Sequence, residues 1–390
     1  MLLVLILVVL AALVAWVVAT GGWRFALQRL GGAVLVIILV TFGTSVLLRQ
    51  VPGEPCEIAL GTAATEEAVA ACIEEQGLDD PVVQQYLSWA QSIVVDQDLG
   101  YAFYRNQEPL STTIEQRLPR TAWLFVYSQL IALAIAVPLG IWAAYQAGRR
   151  SRGIPVWVLP IVLVAMLALG ISLGWAVVSI VVVAIALPSL IFNVIRGGSA
   201  GDTAINFFAF VLLSIPVFVV GEALRYEFAV KRDLYQLTGY APWSEGVGAH
   251  LASVWLPALV LGLAAAPIYL RLLRADMLQN LQQDYVSVAK AKGMSDTHIL
   301  FRHVLRPSTV TLMTVLGLNI AQLVNGAIVV EFIYDFDGMG SYLIEAVYRQ
   351  EFFAVQTIVA LVAVIFVLTN LVIDMLYTAV DPRVKATATA

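Results

Sequence analysis

The chain alternates long runs of apolar residues with short polar connections. A membrane-spanning helix needs about 20 mainly apolar residues. The segments that meet this length are 1–20, 30–48, 121–147, 154–170, 174–195, 204–224, 251–273, 309–330 and 353–378. Each is predicted to be helical, because lipid offers no hydrogen-bond partner to backbone N–H and C=O groups.

Composition agrees with this pattern. Of the 390 residues, 60% are hydrophobic and 13% are charged, and the mean hydropathy is +0.86. An ordinary soluble domain is about 45–50% apolar and about 25% charged. The sequence therefore predicts an all-α polytopic membrane protein and excludes a soluble enzyme or a disordered scaffold. A net charge of −5 also argues against nucleic-acid binding.

The distribution of Lys and Arg predicts which side each connection faces. If 21–30, 147–153, 196–203, 271–308 and 381–390 are cytoplasmic, 14 of the 22 Lys and Arg residues lie inside. The C-terminus is then inside and the N-terminus outside. The first span is interpreted as an extra helix rather than a signal peptide, because it lacks a basic start and a clear small-residue cleavage site.

The connection over 51–120 is predicted to face outward and is acidic. Within it, Thr65–Glu75 has the pattern of an amphipathic helix that begins with a capping box. Cys56 and Cys72 both lie in this connection, away from the reducing cytosol. They are predicted to form a disulfide that rigidifies it, the alternative being two unpaired thiols.

Catalytic and metal-binding motifs are missing from the sequence. There is no Walker A sequence, no H-E-x-x-H and no C-x-x-C. One G-x-S-x-G occurs at Gly170–Gly174, and we interpret it as the tight turn of a membrane hairpin rather than a nucleophile elbow. The chain is therefore expected to have no catalytic residues, no metal site and no nucleotide site of its own.

The inward connection, 280–307, has the pattern of two short helices with a break at Gly293. Glycine tolerates the left-handed conformation that ends a helix, and Ser295 or Asp296 can cap the second helix. Along the first helix, one face carries Tyr285, Val288, Ala289 and Lys292. Such a helix suits a groove in a partner; the alternative is a surface loop lying on the bilayer.

This connection resembles the EAA-type coupling loop of binding-protein-dependent ABC importers. More narrowly, Asp284–Gly293 and Arg302–Arg306 resemble the D-Y-V-x-x-A-[RK]-A-K-G and R-H-x-L-R sequences of the dipeptide/oligopeptide/nickel permease group. The general pattern has Glu-Ala-Ala where this chain has Ser287-Val288-Ala289. The missing acid is usual in the peptide group.

Further motifs of that group occur in the same order along the chain. They are Val51–Pro55, Gly77–Pro81 with Gln85, Tyr86 and Trp89, Asp98–Tyr101, Arg117–Pro119, Phe332–Gln356 with Gly338 and Gly340, and Asp381–Arg383. Just before Gly338, Asp335-Phe336-Asp337 stands where the group has an aromatic residue and a proline. The long first outer connection favours the B-type permease of such systems.

The resemblance implies the type I ABC importer transmembrane fold, with six core helices plus about three extra helices. The expected parts are an extra helix at 1–20, a first core helix at 24–50, an external loop at 51–120, a second core helix at 121–147, an inserted hairpin at 154–195, core helices at 204–378 with the coupling loop 280–307, and a cytoplasmic tail at 379–390. The extra helices are interpreted as lipid-side additions or as a docking site for an accessory subunit.

The resemblance also implies a function and a set of partners. The chain would form half of the pathway for di- or oligopeptides in a prokaryotic inner membrane, the alternative being a secondary transporter or channel. Its partners would be a second, C-type permease, two ABC ATPases or one fused ATPase, an external substrate-binding protein and membrane lipid, with no nucleic acid. ATP and Mg would bind to the ATPases.

Specific residues are implicated by this interpretation. Contacts to the ATPases are predicted for Asp284, Tyr285, Val288, Ala289, Lys290, Lys292, Gly293, Arg302, His303 and Arg306. Polar side chains in the core spans are candidates for the pathway, or for hydrogen bonds between helices: Gln129, Ser214, Asn319, Gln322 and Asn325. Asp374 lies within the last span and is a further candidate, or one member of a structural ion pair.

Overall fold

The computed structural model describes residues 31–51, 55–60, 64–102, 108–148, 200–236 and 239–380. These form two compact units, one comprising the described residues up to Trp123 and from Asp335 onward, the other Leu124–Tyr334. The predicted spans 1–20, 154–170 and 174–195, the Gly170–Gly174 turn and Asp381–Arg383 lie outside the described residues.

The described part of the chain is mainly helical. In chain order the elements are α1 (Gly31–Leu48), α2 (Pro55–Leu60), α3 (Glu66–Gln76), α4 (Val82–Val94), β1 (Tyr101–Ala102), β2 (Glu108–Pro109), α5 (Leu110–Gly148), α6 (Ala200–Ser214), α7 (Val217–Arg225), a π-helical turn (Tyr226–Lys231), a 3-10 turn (Trp243–Glu245), α8 (Val247–Leu281), α9 (Asp284–Ala291), α10 (Asp296–His298), a second π-helical turn (Ile299–Val304), α11 (Leu305–Ile333), α12 (Met339–Tyr348) and α13 (Phe352–Val380). The two strands pair antiparallel.

Several of these helices could cross a membrane by length and composition. Within the described ranges they are Gly31–Leu48, Leu110–Gln146, Val247–Leu281 and Phe352–Val372, together with the bent pair Ile205–Ser214 and Val217–Lys231. Their positions agree with the predicted spans at 30–48, 121–147, 251–273, 353–378 and 204–224. The predicted span at 309–330 falls within α11.

In the first unit, α3 (Glu66–Gln76) lies within one residue of the predicted helix over Thr65–Glu75. The Thr65 side chain accepts a hydrogen bond of 3.2 Å from the Ala68 backbone N–H, and Gly77 ends the helix with a φ of 59°. The capping box is incomplete, because Ala68 stands where the reciprocal acidic side chain would be needed. The structure places Cys56 of α2 and Cys72 of α3 in a disulfide, with a Cα–Cα distance of 5.9 Å.

The core of the first unit shows that α5 starts earlier than predicted. It buries Leu110 and Ile114 of α5 against Met339, Tyr342, Ala346, Ala354, Val355 and Ile358 of α12 and α13. Leu110 and Ile114 are four positions apart, so they lie on one side of a helix. Residues 110–120, predicted as part of a loop, therefore form the first turns of α5.

In the second unit, α8 is the central helix, and its glycines show how its neighbours run. A Cβ at Gly262 would lie 2.8 Å from Ile131 of α5, and one at Gly140 of α5 would lie 3.1 Å from Leu273. The contacts advance together along both helices, so α5 and α8 run in the same direction. On α11, Gly326 lies opposite Leu261 and Thr311 opposite Asp276. α11 therefore runs antiparallel to α8.

The predicted span 204–224 is not one straight helix. It breaks at Pro216, between α6 and α7, with a bend of 94°. Proline lacks a backbone N–H and blocks the preceding turn. By contrast, Pro257 and Pro267 lie inside continuous α8, and Pro138 lies inside α5.

The course of the α6–α7 pair along α8 shows where Gly148 and Ala200 lie in this unit. The Arg271 guanidinium lies 5.0 Å from the centre of the Phe210 ring, and Gly221 lies against Val260. The pair therefore runs antiparallel to α8, whereas α5 runs parallel to it. The end of α5 at Gly148 and the start of α6 at Ala200 consequently lie at the same end of the unit.

Candidate coupling site

Residues 280–307 form two short helices separated at Gly293, as the sequence predicts. Gly293 has a φ of 78°, and its N–H donates to the Lys290 carbonyl at 2.9 Å. Ser295 caps α10 by accepting a hydrogen bond of 3.3 Å from the His298 N–H. The following π-helical turn runs directly into α11, so the segment joins α8 to α11 through defined structure.

The two sides of α9 have different surroundings. Tyr285 is 42% exposed and Val288 54% exposed, whereas Val286 and Ala289 are only 1% and 5% exposed. The prediction placed Ala289 on the outer face with Tyr285 and Val288. The structure places it on the buried side instead, where its small side chain lets α9 pack closely on its own chain.

The predicted charged contacts mostly lie on the surface. Asp284, Lys290, Lys292, Arg302 and Arg306 are all exposed. His303 is half-buried, and its ring centre lies 5.8 Å from that of His298. The cationic side chains are thus accessible, and their role as peripheral contacts stays a prediction.

A network of hydrogen bonds, absent from the sequence interpretation, joins α9 to α8 and α11. We call it the polar relay, and its members are Asp276, Asn280, Tyr285, Ser308 and Thr311. The Asn280 Nδ2 donates to Asp276 Oδ2 and to Ser308 Oγ, both at 3.0 Å. The Tyr285 hydroxyl donates to Asn280 Oδ1 at 3.2 Å, and Thr311 donates to Asp276 Oδ1 at 3.1 Å.

The pattern of donors and acceptors fixes the orientation of Asn280. Its amide nitrogen uses both hydrogens and its oxygen accepts one bond. The Ser308 hydroxyl already donates to the Val304 carbonyl at 2.9 Å, so it meets Asn280 as an acceptor. Turning the amide around would place its oxygen against the Asp276 carboxylate and the Ser308 lone pairs. The network therefore admits one arrangement of this side chain.

The Tyr285 hydroxyl acts as a donor in this network. Burial raises the pKa of this hydroxyl above its ordinary value, and the nearby Asp276 carboxylate raises the pKa further. Both effects disfavour the phenolate. The hydroxyl therefore remains protonated near neutral pH and keeps its bond to Asn280.

The second half of the segment packs beside α5. An apolar cavity of about 530 Å³ lies between them, lined by Val137, Pro138, Ile141, Trp142, Tyr145, Thr297, Leu300 and Phe301. Ile299, Leu300 and Val304 are buried. The second half of the segment is thus anchored by its own buried side chains, beside a cavity that it shares with α5.

Among the described side chains, the predicted pathway residues bond to separate partners and not to one another. Gln129 Oε1 accepts a hydrogen bond of 2.8 Å from the Tyr269 hydroxyl, which links α5 to α8. Ser214 and Asn319 bond to carbonyls one turn earlier in their own helices. The side chains of Gln322, Asn325 and Asp374 lie outside the described part of the structure. Their roles in the pathway remain predictions.

In the first unit, other motif residues hold helices together. The Tyr86 hydroxyl lies 2.9 Å from Thr41 Oγ1 of α1, and the Trp89 Nε1–H donates to Thr357 of α13 at 3.3 Å. Arg49 donates to the Gln85 side chain at 3.1 Å. Gln85, Tyr86 and Trp89 of the motif therefore hold α4 against neighbouring parts of the first unit.

Among the described residues, no group of three or more His, Cys, Asp or Glu could hold a metal ion.

Comparisons with known proteins agree with this arrangement. Residues 189–386 match the family described as binding-protein-dependent transport system inner membrane component, and residues 23–125 match the model of its N-terminal part. The dipeptide transport system permease protein DppB of Escherichia coli strain K12 is 30% identical over 374 residues, covering 93% of this chain and 98% of DppB.

Two further relatives cover a similar share. The oligopeptide transport system permease protein AppB of Bacillus subtilis strain 168 is 26% identical over 363 residues, covering 93% of this chain and 99% of AppB. The probable peptide ABC transporter permease protein y4tP of Sinorhizobium fredii is 28% identical over 361 residues, covering 93% of this chain and 99% of that protein.

Proposed function

Because the chain belongs to the family of binding-protein-dependent transport system inner membrane components, with the type I ABC importer transmembrane fold, we propose that it is the B-type permease of a peptide importer. It forms half of a pathway for di- or oligopeptides. A second, C-type permease supplies the other half, and an external substrate-binding protein delivers the peptide. The functions named for its relatives DppB and AppB support the substrate class.

The observation that carries the coupling role is the position of α9. This helix presents Tyr285 and Val288 to the surroundings while Tyr285 bonds to Asn280 of α8, which in turn bonds to Ser308 of α11. An amphipathic helix of this kind fits a groove in a partner. We assign that groove to the ATPases, which bind ATP and Mg and hydrolyse the nucleotide.

The mechanism depends on this attachment. When the two ATPases close on ATP, the groove moves and carries α9 with it. Because α9 joins the ends of α8 and α11, the displacement rotates those helices as rigid bodies and moves the pathway between inward-open and outward-open states. The chain's own residues supply the mechanical connection, and the energy comes from the partner chains.

We also propose that the 280–307 segment and the C-terminus face the cytoplasm. The directions of α5, α8 and α11 place the end of α5, the end of α8 and the start of α11 on one side, and the excess of Lys and Arg in these connections supports the cytoplasm as that side. Single cysteines at the exposed positions Ser295 and Gln97, in a Cys56→Ser/Cys72→Ser background, would test it with a membrane-impermeant maleimide. In intact spheroplasts, the reagent should label position 97 and leave position 295 unlabelled until the membrane is opened.

The partner assignment is tested by affinity purification in mild detergent with mass identification of the co-purified chains. Gly293→Pro should release the ATPases, because proline cannot adopt a φ of 78° and lacks the N–H that bonds to Lys290. Asp296→Pro is the matched control. It stands at the first position of α10, after an extended Ser295, where proline is tolerated.

The expected result is a second permease and Walker-type ATPases with the wild type and Asp296→Pro, and loss of the ATPases with Gly293→Pro. A wild-type chain that purifies alone would contradict the importer assembly and favour a secondary transporter. Retention of the ATPases by Gly293→Pro would contradict the coupling role of this segment.

A further inference from the structure

The end of α8, the start of α9 and the start of α11 meet at the side chain of Asn280. Asn280 lies in the last turn of α8 and bonds to Tyr285 of α9 and to Ser308 of α11. Thr311 of α11 also bonds to Asp276, one turn before Asn280. One amide side chain therefore connects the partner-facing helix with both core helices.

We propose that Asn280 is a positioning residue that transmits the displacement of α9 to α8 and α11. The inference rests on the coupling role proposed above and deepens it, because it names the internal connection through which the movement passes. Asn280 does not contact the ATPase in this scheme; it acts through Tyr285.

Polar and apolar contacts respond differently when one helix is displaced relative to another. Apolar contacts are non-directional, so helices held by them alone can slide past each other. Hydrogen bonds are directional, and separating a buried one leaves a donor or an acceptor unpaired at a cost of about 1–3 kcal/mol. Ser308 is fully buried and Asn280 is half-buried. Water therefore cannot readily replace the bond between them.

Tyr285 is suited to receive the movement. Its side chain is 42% exposed on the outer face of α9, while its hydroxyl reaches inward to Asn280. A partner that presses on the ring therefore acts on the relay through the same side chain. Tyr285→Phe removes only the hydroxyl and keeps the ring that a partner would contact, so it separates transmission from docking.

The test uses the complete complex of both permeases and the ATPases in proteoliposomes, with the binding protein and a mixture of radiolabelled di- and tripeptides. Two quantities are measured: peptide imported per ATP hydrolysed, and the increase in ATP hydrolysis caused by peptide-loaded binding protein. The variants are Tyr285→Phe and Asn280→Leu. The controls are Tyr348→Phe, at a tyrosine that is 80% exposed, and Gln279→Leu, an exposed amide beside Asn280.

Both relay variants should retain the ATPases and lose about threefold to tenfold in peptide per ATP, which corresponds to one hydrogen bond in an equilibrium. The two controls should match the wild type. The combination of Tyr285→Phe with Asn280→Leu should be no worse than Asn280→Leu alone, because both remove the same connection. If Asn280→Leu fails to assemble, Tyr285→Phe still provides the measurement.

An unchanged ratio in Tyr285→Phe would overturn the inference, as would loss of the ATPases from that variant, since the hydroxyl would then act in docking. These outcomes differ from failure of the proposed function itself. In that case the wild-type complex would show no ATP-driven peptide import, whatever the variants do.

Discussion

The guanidinium of Arg117 and the carboxylate of Asp337 lie 2.7 Å apart, although they are distant in the sequence. The Arg117 side chain is 5% exposed and also lies over the Tyr342 ring, 4.9 Å from its centre. Arg120 bonds to the same carboxylate. The two arginines thus hold the start of α5 to the segment that precedes α12. This explains why an Arg-Leu-Pro sequence stands at this point of the chain.

Arg117→Gln should therefore lower the stability of the first unit. Removing the charge leaves a shielded site without its ion pair and its ring contact. Because Asp337 is 48% exposed, we expect a loss of about 2 kcal/mol, below the range for fully buried pairs. Thermal unfolding in detergent measures the change. Lys231→Gln, which breaks the more exposed ion pair with Glu227, is the control and should shift the midpoint little.

The disulfide between Cys56 and Cys72 should be detectable directly. Peptide mapping without reduction should yield a linked pair, and maleimide should label the chain only after reduction. In the chain-entropy model, closing a loop with a sequence separation of 16 stabilises the native state by about 3 kcal/mol. Cys56→Ser/Cys72→Ser should accordingly speed proteolysis between α2 and α3. Labelling before reduction would contradict the disulfide.

Gly262→Ala should weaken the packing of α5 on α8. The added Cβ would lie 2.8 Å from Ile131 and 3.1 Å from the Ser128 carbonyl, and overpacking of this kind costs about 1–3 kcal/mol. Gly248→Ala is a matched control on the same helix, because a Cβ there meets nothing within 4 Å. Thermal unfolding should show a lower midpoint for the first variant and an equal or higher midpoint for the second. Equal midpoints for both would contradict the close approach.

Ile131→Ala tests the same contact from the other side, as a second change that should restore stability. Combined with Gly262→Ala, it removes the Ile131 methyl group that lies nearest the new Cβ and should restore part of the loss. The Cβ of residue 131 and the Ser128 carbonyl remain at 3.0 and 3.1 Å, so full recovery is not expected. A double variant less stable than the sum of the single changes would place the clash elsewhere.

Gly293→Ala should loosen the junction between α9 and α10. A Cβ there meets no neighbour, so the effect comes from the positive φ alone and amounts to about 1–2 kcal/mol. Hydrogen exchange of the amides of Gly293 and Met294, which bond to Lys290 and Ala289, should speed up. Gly293→Asn should exchange more slowly than Gly293→Ala, since asparagine tolerates this conformation better. The reverse order would contradict this explanation.

Much of the fold could be predicted because a bilayer restricts it. Spans such as 251–273 are predicted by length and hydropathy, and Gly293 indicates a break between two polar helices. The early start of α5 could not be predicted, because Leu110 and Ile114 look like loop residues until α12 and α13 pack against them. The different effects of Pro216 and Pro257 could not be predicted either. The helix breaks at Pro216, between α6 and α7, whereas α8 continues through Pro257.

The sequence predicted the segment that forms the candidate site, but not the hydrogen bonds that connect it to α8 and α11. The segment, its two helices and the exposure of Tyr285 are predicted by periodicity and by the resemblance to coupling loops. The sequence did not indicate the role of Asn280, because its partner Ser308 reaches it only when α11 packs against the end of α8. A polar residue near a helix end usually faces water, and only the meeting of three helices makes this one internal.

The directions of the helices in the second unit also limit how a permease of this kind can change over evolution. Gly148 and Ala200 lie at the same end of their unit, because α5 runs parallel to α8 while the contacts of the α6–α7 pair follow α8 in the opposite order. New sequence can enter between them as a loop, a domain on one side or a pair of helices without reversing the later helices. A single added crossing would turn α8, α9 and α11 over, so that α9 would face the side of the membrane opposite to the one proposed for the ATPases. Insertions between α5 and α6 are therefore restricted to an even number of membrane crossings, whatever their length.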